Sequence, residues 1–121
     1  MRTSYGLEAI EAAEDIAKDT LVFLDGDGKL AATTGNDVVP LGVLDAAVSA
    51  GDDASARRGT RVSYVVASEA ITVGDNLMPA ADGKVAVDAE TTDDVRFAIA
   101  CTSAASGEKL AIEFTSPEVV S

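Results

Sequence analysis

The chain repeats itself, and that constrains its fold more than any other feature. Glu14, Ile16, Asp19, Leu21 and then Asp27-Gly28-Lys29-Leu30 are followed later by Glu69, Ile71, Asp75, Leu77 and then Asp82-Gly83-Lys84-Val85. Allowing gaps of one residue, both segments keep one order: Glu-x-Ile, Asp-x-Leu, Asp-Gly-Lys, then an apolar residue. The match continues downstream. Pro40 to Ala47 precedes a loop at Gly51 and an apolar stretch from Thr60 to Ala67, while Val95 to Cys101 precedes a loop at Gly107 and a stretch from Lys109 to Thr115. Each unit therefore reads as a hairpin followed by two further strands, with a period of about 50 residues.

The strand assignments rest on local chemistry. Leu21 to Leu24 is an apolar run ending in Asp25-Gly26-Asp27-Gly28, where glycine readily takes a positive φ and reverses the chain; Asp82-Gly83 does the same in the second unit. Arg61 to Val65 and Lys109 to Phe114 alternate between apolar and polar, as strands with one wet face do. Turns at such short spacing favour an all-β fold, a barrel or a sandwich, over a parallel α/β sheet. Leu7, Ile10, Ala13 and Ala17 fall at helical spacing among Glu8, Glu11 and Glu14, so one short helix near residues 7–13 is also expected. The repeat predicts an N-terminal arm at 1–13, a single β domain at 14–115 with units of about 14–67 and 69–115, and a tail at 116–121.

Composition narrows the partners. Twenty-one acids against nine bases give a net charge of −12. Such a field repels nucleic-acid phosphates and anionic lipid heads, so neither is an expected partner. The longest nearly apolar run, Val38 to Leu44, is far short of a membrane span, and no hydrophobic secretion segment opens the chain. An intracellular protein, or one carried outside within an assembly, is expected. Few aromatic anchors are present: Tyr5, Phe23, Tyr64, Phe97 and Phe114. A chain so equipped gains stability by docking or oligomerising. The lone Cys101 lies in an apolar run and is expected to be a small buried hydrophobe.

Catalytic equipment is missing. The chain has no histidine, which removes histidine-dependent triads, the usual zinc ligand and the commonest general base near neutral pH. Cys101 has no histidine to activate it, and Ser63 and Ser68 lie in no nucleophile elbow. Asp25-Gly-Asp27-Gly invites a calcium reading. An EF-hand loop, however, needs a ligand where Lys29 stands and a closing Glu where Asn36 stands, so a hairpin turn is the better reading. No glycine-rich run leads into Lys-Ser or Lys-Thr, so a phosphate loop is not expected either. The sequence thus predicts no enzyme, catalytic residue, cofactor or metal. Arg57, Arg58 and Arg61 form the one basic cluster, beside Asp52-Asp53; it reads as a self-neutralising loop or as a contact patch for an acidic surface.

Across "EDIAKDTLVFLDGDGKL", "PLGVLDAAVSAGD" and "ITVGDNLMPAADGKV" the chain resembles the small capsid decoration, or cement, proteins of tailed viruses. The resemblance runs from about Glu14 to Phe114. It implies a β-rich body of the small barrel or β-tulip kind, often trimeric, that binds the major capsid protein at three-fold or quasi-three-fold positions on the outside of an icosahedral head, after synthesis in the host cytoplasm. One departure is Lys18-Asp19, where the second unit has Gly74-Asp75. An arm adding a strand to a neighbour's sheet edge would use Tyr5, Leu7 and Ile10 as anchors. Two other readings stand beside this one: a cellular β-rich assembly or adhesion module, and a different virion head or tail component.

The excess of Asp over Lys, with abundant Ala, Val and Thr, also fits a protein from a very salty cytoplasm. Added salt screens the self-repulsion of this surface. The melting temperature is expected to rise between low and molar salt; a flat or falling value removes the halophilic reading.

Overall fold

The computed structural model describes residues 9–35, 38–44, 46–57, 63–88 and 95–119. Ten strands run through them: β1 (Ala9–Glu11), β2 (Leu21–Leu24), β3 (Leu30–Ala32), β4 (Gly42–Leu44), β5 (Asp53–Arg57), β6 (Ser63–Val66), β7 (Asn76–Pro79), β8 (Val85–Val87), β9 (Val95–Ala100) and β10 (Lys109–Val119). A single 3-10 turn, Ala81–Gly83, joins β7 to β8. The all-β class is as the sequence predicts.

Two five-stranded sheets form, in the orders β1-β5-β4-β2-β3 and β6-β10-β9-β7-β8. The second order is the first with each strand advanced by five, so the duplication is one of topology. Each sheet curls until its edge strands meet. Ala12, just past β1, bridges Leu30 in parallel, and Ala67, just past β6, bridges Val85 in parallel. The Ala13 N–H donates to the Leu30 carbonyl and the Ser68 N–H to the Val85 carbonyl, both at 2.8 Å. What remains of each edge is met by a carboxylate. Glu14 Oε2 accepts the Ala32 N–H at 3.0 Å, and Glu69 Oε2 accepts the Val87 N–H at 2.9 Å. The Glu-x-Ile motif therefore has a structural reason: the glutamate caps an edge strand, and Ile16 or Ile71 enters the core through a bridge to Val48 or Ala104.

The phase of the repeat differs from the sequence expectation. Residues 9–11 are a strand, not a helix, because Ile10 pairs with Ala54 on β5 and leans on the core while Glu11 faces water. The helical spacing fails at Ala13 and Ala17, which are exposed; residues 7 and 8 lie outside the described residues. The stretch expected to close the first unit, Thr60 to Ala67, instead contributes β6, which opens the second by pairing with β10. The first unit closes with β5. At the far end β10 runs on to Val119, beyond the expected tail boundary, with Glu118 opposite Arg96 after a bulge. Each unit is thus five strands, a lead strand ahead of the hairpin and its two followers. Cys101 is exposed, because the chain leaves β9 there and turns.

The duplicated turn also explains Lys18-Asp19. The Asp19 N–H donates to Leu44 O, as the Gly74 N–H does to Ala100 O. Asp19 is therefore the counterpart of Gly74, and both have positive φ, 64° and 91°. Aspartate tolerates this region better than most side chains.

Alternation decides where the core lies. In the first barrel Val22, Leu30 and Leu44 point inward with Ala12 and Ile16. Leu21 and Val43 are register partners on the opposite, outer face, yet both are buried, because they join the second barrel's core with Val65, Leu77, Val85, Leu110 and Ile112. Phe97 and Phe114 meet edge to face in that cluster, centroids 5.6 Å apart. Burial of a leucine contributes about 1.5–3 kcal/mol. Leu21→Ala is expected to cost about 2–5 kcal/mol in urea unfolding. Asn76→Ala, at the equivalent but exposed position of the second barrel, is expected to change it by less than about 0.5 kcal/mol.

Candidate functional site

The acid-rich hairpin is a turn built by its own side chain. Asp25 Oδ1 accepts the N–H groups of Asp27 at 2.9 Å and Lys29 at 3.0 Å, while Lys29 Nζ reaches Glu11 at 3.3 Å. Asp25 Oδ1 is thereby committed to the turn. Other carboxylates are used in the same way: Asp15 accepts from the Ala50 N–H, Asp75 from Thr72 and Glu108 from Ala105. A shallow open groove beside the Ile16–Val48 bridge is lined by Asp15, Ile16, Ala17, Ala47, Val48 and Ser49, with Asp15 as its one charged side chain. Among the described residues no three potential metal-ligating side chains of the His, Cys, Asp and Glu types gather together.

The surface with the most contact chemistry is the outer face of the second barrel. Register places Tyr64 opposite Ala111, and Ile99 between Glu113 and Asn76. Tyr64 is 56% exposed and Ile99 37% exposed. Half-buried Val66 and Met78 share the face by alternation, and Lys109, opposite Val66, stands at its border. Lys109 also reaches across to the first barrel, where its Nζ lies 2.7 Å from Asp19 Oδ2. The lysine side chain is 57% exposed and the aspartate 14%, so water reaches the pair from the lysine end. A tyrosine and an isoleucine on the convex outside of a barrel, bordered by one cation and one anion, suit a protein surface better than a small molecule.

Of the residues singled out from the sequence, Tyr5, Leu7, Arg58 and Arg61 lie outside the described residues. Arg57 ends β5, its backbone in register with Val43. Ile10 packs against the first barrel's own core. The structure therefore does not bring these six into one described patch. Tyr64 and Ile99 were not singled out: within Arg61 to Val65 the alternation groups Tyr64 with Val62, opposite Arg61 and Ser63, and so points it to the apolar face, whereas the structure exposes it.

The arrangement defines a class by fold: a tandem of two small five-stranded barrels sharing a seam. No family model matches the chain, and no curated protein matches it. Among solved structures it is similar to the N base of the head fiber gp8.5 in bacteriophage phi29, with a TM-score of 0.73 and 23% identity over 90% of this chain and 92% of that one. The likeness is one of fold, and it extends over nearly the whole of both chains.

Asp25→Ala removes two turn hydrogen bonds and is expected to cost about 1–3 kcal/mol. If the hairpin is only a turn, that cost is the same with and without millimolar calcium in thermal unfolding. A loss of stability that calcium restores in the wild-type chain alone would reverse the assignment.

Proposed function

We propose that this chain is a structural protein of a tailed-virus particle, seated on the outer surface of the icosahedral head. In this reading it acts as a rigid body that binds by contact, without catalysis, and its partner is the major capsid protein. The observation that carries the reading is the whole-length fold likeness to the N base of a phage head fiber. The sequence resemblance to capsid decoration proteins, drawn from the duplicated hairpins, points to the same part of a virion. Closed barrels with carboxylates tied into turns and edge caps suit a durable scaffold, and a net charge of −12 suits an exterior away from packaged DNA.

The finer reading is a homotrimer at three-fold or quasi-three-fold positions, where many modest contacts on one lattice add through avidity. The same fold likeness favours a second reading, in which the chain is the base of a projecting fiber and not a flat cement. Cryo-electron microscopy of purified virions separates them. A double-barrel density lying on the shell fits decoration, one with a stalk above it fits a fiber base, and absence from the head ends both.

The outer face of the second barrel is the proposed contact surface. Tyr64→Ser combined with Ile99→Ser is expected to shift the melting temperature by only a few degrees, since both side chains are partly solvated, while lowering occupancy on stripped capsids at least tenfold. Unchanged occupancy places the contact elsewhere. Because β1 begins at Ala9, an arm is tested by removing residues 1–8 alone.

A further inference from the structure

The two barrels meet through unlike surfaces. The first barrel offers its outer face: Leu21 and Val43 buried, Thr33 Oγ1 donating to Ala80 O at 2.8 Å, and Thr33 O accepting the Gly83 N–H at 3.1 Å. The second offers its hairpin. Pro79 and Gly83 are buried there, and a Cβ on Gly83 would run into the Thr20 methyl and stand 3.0 Å from Leu21 O. A contact between different surfaces of two similar bodies does not close on itself. Unless its rotation closes a ring, it passes from copy to copy as a filament.

Both unmatched halves of this contact are present on every chain. The hairpin counterpart on the first barrel is open: Leu24, equivalent to buried Pro79, is 45% exposed, and Gly28, equivalent to Gly83, has nothing within 4 Å of its Cβ position. The face counterpart lies on the second barrel, and there each key residue has changed in kind. Leu21 is replaced by Asn76, Thr20 by Asp75, and Thr33 by Asp88. The last equivalence is fixed by the backbone, since Thr33 N–H donates to Leu21 O and Asp88 N–H to Asn76 O. A threonine that donates across the seam has become a carboxylate, which accepts, and which Arg96 Nε holds at 2.6 Å. Only Ile99, in place of Val43, stays apolar.

We infer that Asp75, Asn76 and the Asp88–Arg96 pair form a polar cap that keeps the barrel-to-barrel contact from passing to a second copy of this chain. Docking a second first-barrel hairpin there would bring its acidic turn to Asp75, would meet at the Thr33 position an Asp88 side chain that is already buried, 1% exposed, and paired with Arg96, and would bury Asn76 where a leucine is required. Stacked-repeat proteins end in the same way, with a polar outer face on the terminal repeat. The cap adjoins the proposed contact face, since Asn76 is the register partner of Ile99, but it does not depend on which partner that face takes.

The test uses the full chain in sedimentation velocity over a wide concentration range. Asp75→Thr with Asn76→Leu, and the same pair with Asp88→Thr, are expected to form species that grow with concentration beyond whatever the wild-type chain forms. Adding Leu24→Asp, on the opposite half of the contact, is expected to return both variants to wild-type sedimentation. Folded variants that sediment like wild type overturn the inference, as does growth that survives Leu24→Asp. Loss of the folded far-ultraviolet circular dichroism signal in both variants overturns it too, because these positions then serve the barrel and not a cap.

Discussion

A strand of three or four residues has too little surface to hold itself, and seven of the ten strands among the described residues are that short. What makes such strands stable is closure. Once Ala12 bridges Leu30 and Ala67 bridges Val85, neither sheet is left with two open edges, and the inward side chains enclose a common interior. Glu14 and Glu69 complete the closure by accepting one edge N–H each. The rest follows from this constraint. A closed barrel fixes which side chains point in, so the remaining alternate residues point outward, and it is these outward residues that differ between the two units.

The difference begins with burial. In the first unit the outward pair Leu21 and Val43 is apolar and covered; in the second, Asn76 and Ile99 occupy the same register positions and face solvent. Two copies of one topology thus serve unlike ends of one seam. Thr33 is the polar hinge of that seam, giving one hydrogen bond and receiving another across it while fully buried. A buried hydroxyl without such partners would cost several kcal/mol, so its satisfaction also fixes the angle at which the barrels meet.

Much of this was legible in the residues. The hairpins at Asp25 to Gly28 and Asp82-Gly83, the all-β class and the duplication follow from turn chemistry and alternation. The phase of the repeat was not legible, because the lead strands β1 and β6 carry little mutual similarity: Ala9–Glu11 and Ser63–Val66 share no motif, and their kinship is visible only in how they pair with β5 and β10. The helix expected near residues 7–13 failed because Ile10 and Ala12 suit a period of two as well as one of 3.6, and only the partner strand decides between them. Cys101 misled for a related reason. An apolar run ends one residue earlier than its composition suggests when the next residue begins a turn. The contact face was not legible, since alternation groups Tyr64 with Val62 opposite Arg61 and Ser63, and Ile99 lies within a run whose other members are mostly buried.

Charge and shape together bear on what such a body can do. The carboxylates of Glu14, Asp15, Asp25, Glu69, Asp75 and Glu108 accept backbone N–H groups, so part of the acidity serves as internal fastening. The acids that remain repel like-charged surfaces. An apolar contact must then be confined to a small area framed by charge, or repulsion gives way to aggregation. The Tyr64–Ile99 face, bordered by Lys109 and Glu113, meets that condition: its apolar centre is small enough to stay soluble, and its charged border can reward one orientation of a partner over others.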